Sequence, residues 1–316
     1  GRPVVAAPVN RVRRRLGGIS GALAWVAYGW LGLAFLLLVP TLASDLGLAL
    51  LGAAAPEGWT DASAVARARA LGVGAIGLGL AGVALRRGLA PPSLRRVEIP
   101  LARWPQALDG FRIVQLSDVH IGPLLDRRFA ASLAERVAAL APDLVAVTGD
   151  LVDGSVRRIG AEVEPLGALR ARCGVYFVTG NHDYYSGADD WVARMTGLGW
   201  RALRNERVAI EADGAVFDLA GVPDHRGAMG DPRGGEDLAR ALADRDPERP
   251  VLLLAHDPGS FRRASQMGVD LQLSGHTHGG QIWPFRWMVR VTVPWIAGLY
   301  RVGASAIYVS CGTGFW

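Results

Sequence analysis

The chain has no lysine. All 34 of its basic side chains are arginine, set against 29 acidic ones, for a formal net charge of +5. A basic balance built from one residue type follows codon composition more simply than function. The arginines are scattered rather than gathered into one stripe, so nothing marks a nucleic-acid surface. Cysteine is almost missing: Cys173 and Cys311 stand far apart and in no CxxC pattern. That excludes a disulfide scaffold and a thiolate zinc site, and it fits a reducing compartment. Internal repeats and low-complexity tracts are absent too. So is an initial methionine, and a trimmed chain is the expectation.

What is abundant is apolar. Half of the 316 residues are hydrophobic, which is high for a soluble protein. Residues 21–43, GALAWVAYGWLGLAFLLLVPTLA, carry no charge and are long enough to cross a bilayer. Trp25, Tyr28 and Trp30 near its start suit an interfacial belt. A second run, residues 70–85, is shorter and glycine-rich, with small residues spaced for close helix packing in lipid. Arginines 11–15 precede the pair and Arg86, Arg87, Arg95 and Arg96 follow it, whereas the connection holds Glu57 and Asp61. By the positive-inside rule both outer ends face the cytoplasm. Arg67 and Arg69, just before the second run, pull against that topology.

The expected organisation is a membrane region over residues 1–90, with one or two transmembrane helices, a linker over 91–100 and a globular domain over 101–316. Beyond the linker, short apolar runs alternate with helical patterns. Residues 111–117, 143–149, 174–180, 215–221, 251–256, 269–275 and 306–310 read as strands, and 128–140 as an amphipathic helix. Strands that are apolar throughout are buried on both faces, the mark of an α/β fold. In such folds ligands collect at the carboxyl ends of the strands.

That is where the polar residues stand. Asp118 and His120 follow the first strand, Asp150 and Asp153 the second, and Asn181, His182 and Asp183 the third. His256 follows VLLLA, and His276 and His278 follow VDLQLSG. Of six histidines only His225 lies outside this set, in a loop composition. Singly, each motif is ordinary turn or cap chemistry. Together they put five of six histidines at strand ends. Carboxylates and imidazoles without thiolate suit Mn, Fe, Zn or Co. Seven strong donors exceed the four of one mononuclear site, so two divalent ions sharing a carboxylate fit better, the clamp used on phosphoesters. The neighbouring glycines 149, 180, 275, 279 and 280 are expected to let the chain turn and to leave room for a phosphate.

The order Asp-x-His, Gly-Asp, Gly-Asn-His, His, Gly-His-x-His resembles the calcineurin-like metallophosphoesterase family over residues 112–280. The resemblance implies a four-layer α/β/β/α sandwich. It also implies one metal on Asp118, His120 and His278, a second on Asn181, His256 and His276, and Asp150 bridging. Attack on phosphorus by a metal-activated hydroxide follows from it, with His182 beside the leaving group as proton donor or charge stabiliser. Asp153 and Asp183 would orient histidines or make local turn bonds, and Asp257 would cap the helix starting at Pro258.

GHTHGGQIWPF behind an apolar N-terminal region is similar to the membrane-anchored bacterial branch of that family. The branch implies the inner membrane and a lipid-linked substrate such as UDP-2,3-diacylglucosamine, and the arginine distribution puts the catalytic domain in the cytoplasm. One departure is that relatives run on into a further strand where this chain reads CGTGFW. Competing readings are a nuclease or nucleotide phosphodiesterase of the same fold, and a non-catalytic metal-binding scaffold. Residues 282–300, with Trp283, Phe285, Trp287, Met288, Trp295, Arg286 and Arg290, would either cover the sandwich or touch lipid.

Overall fold

The computed structural model describes residues 7–54, 62–229, 234–281 and 285–314. The chain divides into two units, Gly1–Ser93 and Leu94–Trp316.

The first unit is a pair of helices, α1 (Ala7–Ala54) and α2 (Ala62–Gly88). They pack on one another where Gly77 lies against Leu37, and Arg69 of α2 pairs with Asp45 of α1. Helix α1 runs far beyond the uncharged stretch and passes through Pro40, where the Thr41 hydroxyl donates to the Leu37 carbonyl at 2.7 Å. Segments Trp25–Ala53 and Ser63–Gly88 are long and apolar enough to cross a membrane, with mean hydropathies of 2.0 and 1.7. Only 6% of each is buried, whereas a core helix of a soluble domain would be mostly buried. The connection at 55–61, which carries Glu57 and Asp61, and the arginine side chains at 11–15 lie outside the described residues.

The second unit holds two sheets. β1 (Ile113–Leu116), β2 (Leu144–Thr148), β3 (Val175–Val178) and β4 (Arg201–Ala202) lie parallel in that order. The other sheet contains β5 (Glu206–Ala212), β6 (Ala215–Gly221), β7 (Val251–Leu254), β8 (Leu271–Ser274), β9 (Gly298–Val302) and β10 (Ser305–Val309). Its order is β5-β6-β7-β8-β10-β9, parallel in the middle with antiparallel pairs at both edges.

The period of two along each strand builds the layers. On β2, Leu144 and Ala146 join the core between the sheets with Phe217, Leu252, Leu254, Leu271 and Leu273. Val145 and Val147 face the other way, onto helices α3 (Arg127–Ala139), α4 (Val156–Val163) and α6 (Ala188–Gly197), where Trp191 and Met195 are fully buried. On β7, Val251 and Leu253 face α7 (Leu238–Ala241) and α8 (Phe261–Gln266). The result is the four-layer α/β/β/α sandwich. It also explains the continuous apolar runs, because both strand faces are covered. Between the sheets, the Gln115 side-chain amide donates to the Thr148 hydroxyl and the Ser274 carbonyl, both at 2.9 Å, fixing their edges directly beneath the ligand loops.

Three strands were not expected. β5 alternates exposed and buried residues, ERVAIEA, and turns into β6 through Asp213 and Gly214, both at positive φ. Asp-Gly at that spacing is the two-residue hairpin turn whose twist suits paired strands. β4 is two residues long and β9 is a half-exposed edge, so neither carries an apolar run.

Candidate metal centre

The sequence-selected donors stand at the carboxyl ends of β1, β2, β3, β7 and β8, and six of the seven gather into two groups. Asp118, His120 and His278 have one donor atom each within 4.8 Å of the others, and so do Asp150, His256 and His276. The two groups touch through Asp150, whose Oδ2 lies 3.2 Å from His256 Nε2 and 4.0 Å from His120 Nε2. Asn181 opens the short helix α5 (Asn181–Tyr185), and its buried Oδ1 has no hydrogen-bond partner in the protein. His276 and His278, two residues apart, separate between the groups because the backbone leaves the strand after Ser274.

The backbone bears the cost of this convergence. Asp118, His120, Asp150, His276 and His278 all have positive φ, five of the ten non-glycine residues so described. That region costs an L-residue about 1–2 kcal/mol each, and such strain gathers at functional sites. Glycine could relieve the strain at these positions, but it offers no donor. The loops are knitted together instead: the amides of Val119 and His120 donate to the Asp150 carbonyl, Gly275 donates to His256, and His276 donates to the Asp118 carboxylate.

Gly149, Gly279 and Gly280 lie at positive φ and let the chain turn, as expected, but open space is not what surrounds three of the glycines. A Cβ at Gly180 would collide with the Asp150 carboxylate and amide, and one at Gly275 with Ser117 and Asp118. At Gly149 it would come within 2.6 Å of His256 Nδ1. These three positions are filled by the donor residues themselves. They permit the loops to approach closely and do not hold open a phosphate pocket.

The donor chemistry passes a test for metal. His256 Nδ1 lies 2.8 Å from the Thr148 carbonyl, which accepts only from N–H, so a neutral ring has a bare Nε2. That Nε2 faces Asp150 Oδ2 and His276 Nδ1, each at 3.2 Å. His120 Nδ1 is likewise held by the Asp153 carboxylate at 3.1 Å, leaving Nε2 to face His278 Nε2 at 3.2 Å. Imidazole nitrogens and carboxylate oxygens converge in both groups, and the Asn181 Oδ1 is a further buried oxygen without a partner in the protein. Divalent cations fit such a set.

Protons compete for the same space. Burial would lower His256, but the charge and hydrogen bond of Asp150, then Asp118 and Asp224, hold it well above the ordinary histidine value. Asp150 is driven well below the ordinary carboxylate range, as His256, His120 and His182 outweigh its burial. His276 and His278 are lowered by burial, and further by the His256 and His120 rings, against the raising pull of nearby carboxylates, which favours the neutral, electron-donating form.

Around the donors, Asp153 holds two rings at once, His120 Nδ1 at 3.1 Å and His182 Nδ1 at 2.7 Å. For Asp183 the local alternative is the one seen: its carboxylate accepts from the backbone of Leu151 and Gly180 at 2.9 and 2.8 Å and ties the second and third loops. Burial, then the Asp150 charge, pushes it up to about 7 despite those bonds. Asp257 accepts from the Gly259 amide at 2.7 Å and caps the turn after His256. His225 stays outside the donor groups, between Asp224 and Asp257 at 3.5 Å from each.

One support had no sequence signal. The segment after β10 crosses to β1, where the amides of Thr313 and Gly314 donate to the carbonyls of Ser117 and Asp118, and the Thr313 hydroxyl accepts from Ser117. Gly312 lies against His278. The CGTG sequence is thus part of the wall of the centre, joined across almost 200 residues.

Residues 111–280 match the family described as calcineurin-like phosphoesterase. The chain belongs to that family. Over 245 residues it is 40% identical to the bovine (Bos taurus) transmembrane protein with metallophosphoesterase domain, covering 74% of this chain and 55% of the relative. It is 33% identical over 256 residues to the uncharacterized metallophosphoesterase YkuE of Bacillus subtilis, covering 78% and 87%. The chain thus spans about half the length of the bovine relative. Among solved structures, a dimetal phosphatase from Danio rerio aligns over 64% of this chain and 88% of that one, at 13% identity and a TM-score of 0.42. The matched span holds β1 to β8 and all of the donor residues, from Asp118 to His278, whereas β9 and β10 follow it.

Proposed function

We propose that the protein is a membrane-anchored, dinuclear phosphoesterase. The observation that carries this reading is the convergence of Asp118, His120 and His278 in one donor group and Asp150, His256 and His276 in another, with the Asp150 carboxylate reaching toward both. Asp118, His120 and His278 would hold one divalent ion, Asn181, His256 and His276 a second, and Asp150 would be shared. When bound, such a pair supplies Lewis acidity to the phosphoryl oxygens and a nucleophile generated from water. The protein's own part is placement. Buried carboxylates and imidazoles, locked by Asp153, Thr148 and the knitted loops, need no rearrangement as charge develops.

His182 is the catalytic residue in this reading. Its ring sits edge-on to His120 at 4.8 Å between centroids, and its amide donates to Asp150 at 2.8 Å. With Nδ1 tied to Asp153, the other nitrogen carries the proton given to the leaving oxygen, or the positive charge that stabilises it.

Helices α1 and α2 anchor the domain, the sort of arrangement named in the bovine relative. An anchored centre gains most from phosphoesters in the same membrane, which favours a lipid-linked substrate such as the pyrophosphate of UDP-2,3-diacylglucosamine. The test is a panel of phosphomonoesters, phosphodiesters and pyrophosphates, lipid-linked and soluble, given to the purified protein with Mn, Zn, Fe or Co. Turnover of a lipid-linked phosphoester above its water-soluble headgroup analogue supports the reading. Preference for nucleic acid, with strong salt dependence, would replace it.

A further inference from the structure

The donor groups end at His278, yet the chain next builds an element with no part in them. Helix α9, Phe285–Thr292, follows within a few residues. It is seated at its start, where a Cβ on Gly280 would come within 2.7 Å of the Arg286 Cα. At about 100° per residue, Trp287, Val291 and Met288 fall on one arc, and they are 60%, 87% and 66% exposed. Val289 lies on the opposite side and is only partly exposed. Among the described residues from 94 onward, the exposed large apolar side chains are Leu94, Val97, Tyr185, Trp287, Met288, Val291 and Val302. Three of those seven share this one short helix, so the face is a patch and not scatter.

Its rim is basic. Arg286 and Arg290, one turn apart, are both exposed, and the Arg290 guanidinium stacks over the Trp287 ring at 5.2 Å. The helix FRWMVRVT has no acidic residue. An apolar arc beside arginines, with an indole at the border, is the make-up of a helix lying in a membrane interface.

We propose that α9 docks into the headgroup layer of an anionic bilayer and holds the metal centre at the membrane surface. The partner follows from charge and from place. Two arginines complement phosphate headgroups, whereas a second copy of the same face would oppose them with like charge. An eight-residue helix binds lipid only weakly by itself. The anchor supplies the rest, since it keeps the domain at high effective concentration beside one bilayer. This inference rests on the anchored reading of α1 and α2. It also narrows the substrate class to phosphoesters at headgroup depth, with their tails left in the bilayer.

The test uses the full chain in lipid nanodiscs, with Cys173→Ser and Cys311→Ser as background. A nitroxide is placed at Val291→Cys or, for comparison, at Asp189→Cys, whose side chain is 83% exposed on α6. Electron paramagnetic resonance then reads accessibility to oxygen and to a water-soluble nickel chelate. In phosphatidylglycerol discs the label at 291 should be shielded from nickel by about threefold or more relative to 189. Arg286→Gln with Arg290→Gln should remove most of that shielding. Equal nickel accessibility at the two sites overturns the proposal. So does dipolar broadening between labels at 291, which would mean that the face pairs with a second copy. Alkaline carbonate extraction of membranes reads the anchor separately. A chain that resists extraction but leaves 291 open to nickel refutes the α9 contact alone.

Discussion

His120 and His278 point their Nε2 atoms at one another across 3.2 Å, although 158 residues separate them. The other nitrogen of His120 is taken by Asp153, so a neutral His120 turns a bare Nε2 toward His278. A cation held by Asp118 and the two rings would take up that lone pair. His278→Ala should therefore lower the metal content of the purified protein by about one equivalent per chain. Turnover should fall by more than the ~10–100-fold that loss of an outer partner costs. Inductively coupled plasma mass spectrometry reads the first, and steady-state hydrolysis the second.

Asp153 is the outer partner that matters most, because one carboxylate fixes two rings. Its hydrogen bonds from His120 and His182 outweigh burial and keep it below the ordinary carboxylate value. Asp153→Ala should weaken metal binding by about 10–100-fold in a chelator competition. It should also slow turnover at saturating metal, because His182 loses its tether. Full recovery of rate with excess metal would mean that Asp153 serves only His120.

The His182 assignment predicts a dependence on the leaving group. His182→Ala should keep both metal equivalents and lose about 10²–10⁴ in rate on phenyl esters. The loss should shrink on p-nitrophenyl esters, whose leaving oxygen needs no proton. An equal loss on both would point to charge stabilisation instead of proton transfer, and loss of metal would move His182 among the ligands.

Much of the centre was legible because metal donors must be particular residue types. Five histidines and three acidic motifs at the ends of apolar runs left little freedom, and the same runs indicated a doubly covered sheet. What escaped has a physical reason. β4 and β9 are edges too short or too exposed to need an apolar run, and β5 alternates because only one of its faces is buried. The Asp213-Gly214 turn is itself a readable hairpin signal. The Ser117–Thr313 contact had none, since a backbone pairing between distant loops leaves no trace in residue type. The turning role of the glycines was legible, but the close packing at Gly149, Gly180 and Gly275 corrects the expectation of open space there, because sequence shows a missing Cβ and not what occupies its place.

That correction yields a prediction of its own. Gly180→Ala should disrupt the centre, since its Cβ would displace the Asp150 carboxylate, and metal and activity should be lost together. Gly197→Ala, at the end of α6 with nothing within 4 Å of the added carbon, should leave both intact. It should hold or slightly raise the melting temperature, since alanine gains up to about 1 kcal/mol of stability over glycine in a helix. Equal behaviour of the two variants would show that the Gly180 position tolerates a side chain.

The central claim is that Asp150 is shared by two ions that act as one unit. The direct measurement is a metal titration of metal-free full-length protein, following both bound metal and hydrolysis of a bis-p-nitrophenyl phosphate probe, in wild type and Asp150→Asn. The account predicts activity that rises to a plateau at about two equivalents per chain, as expected for a two-ion clamp, and a variant that loses binding and turnover together. Full turnover at one equivalent, or an Asp150→Asn protein that keeps its rate, would contradict it.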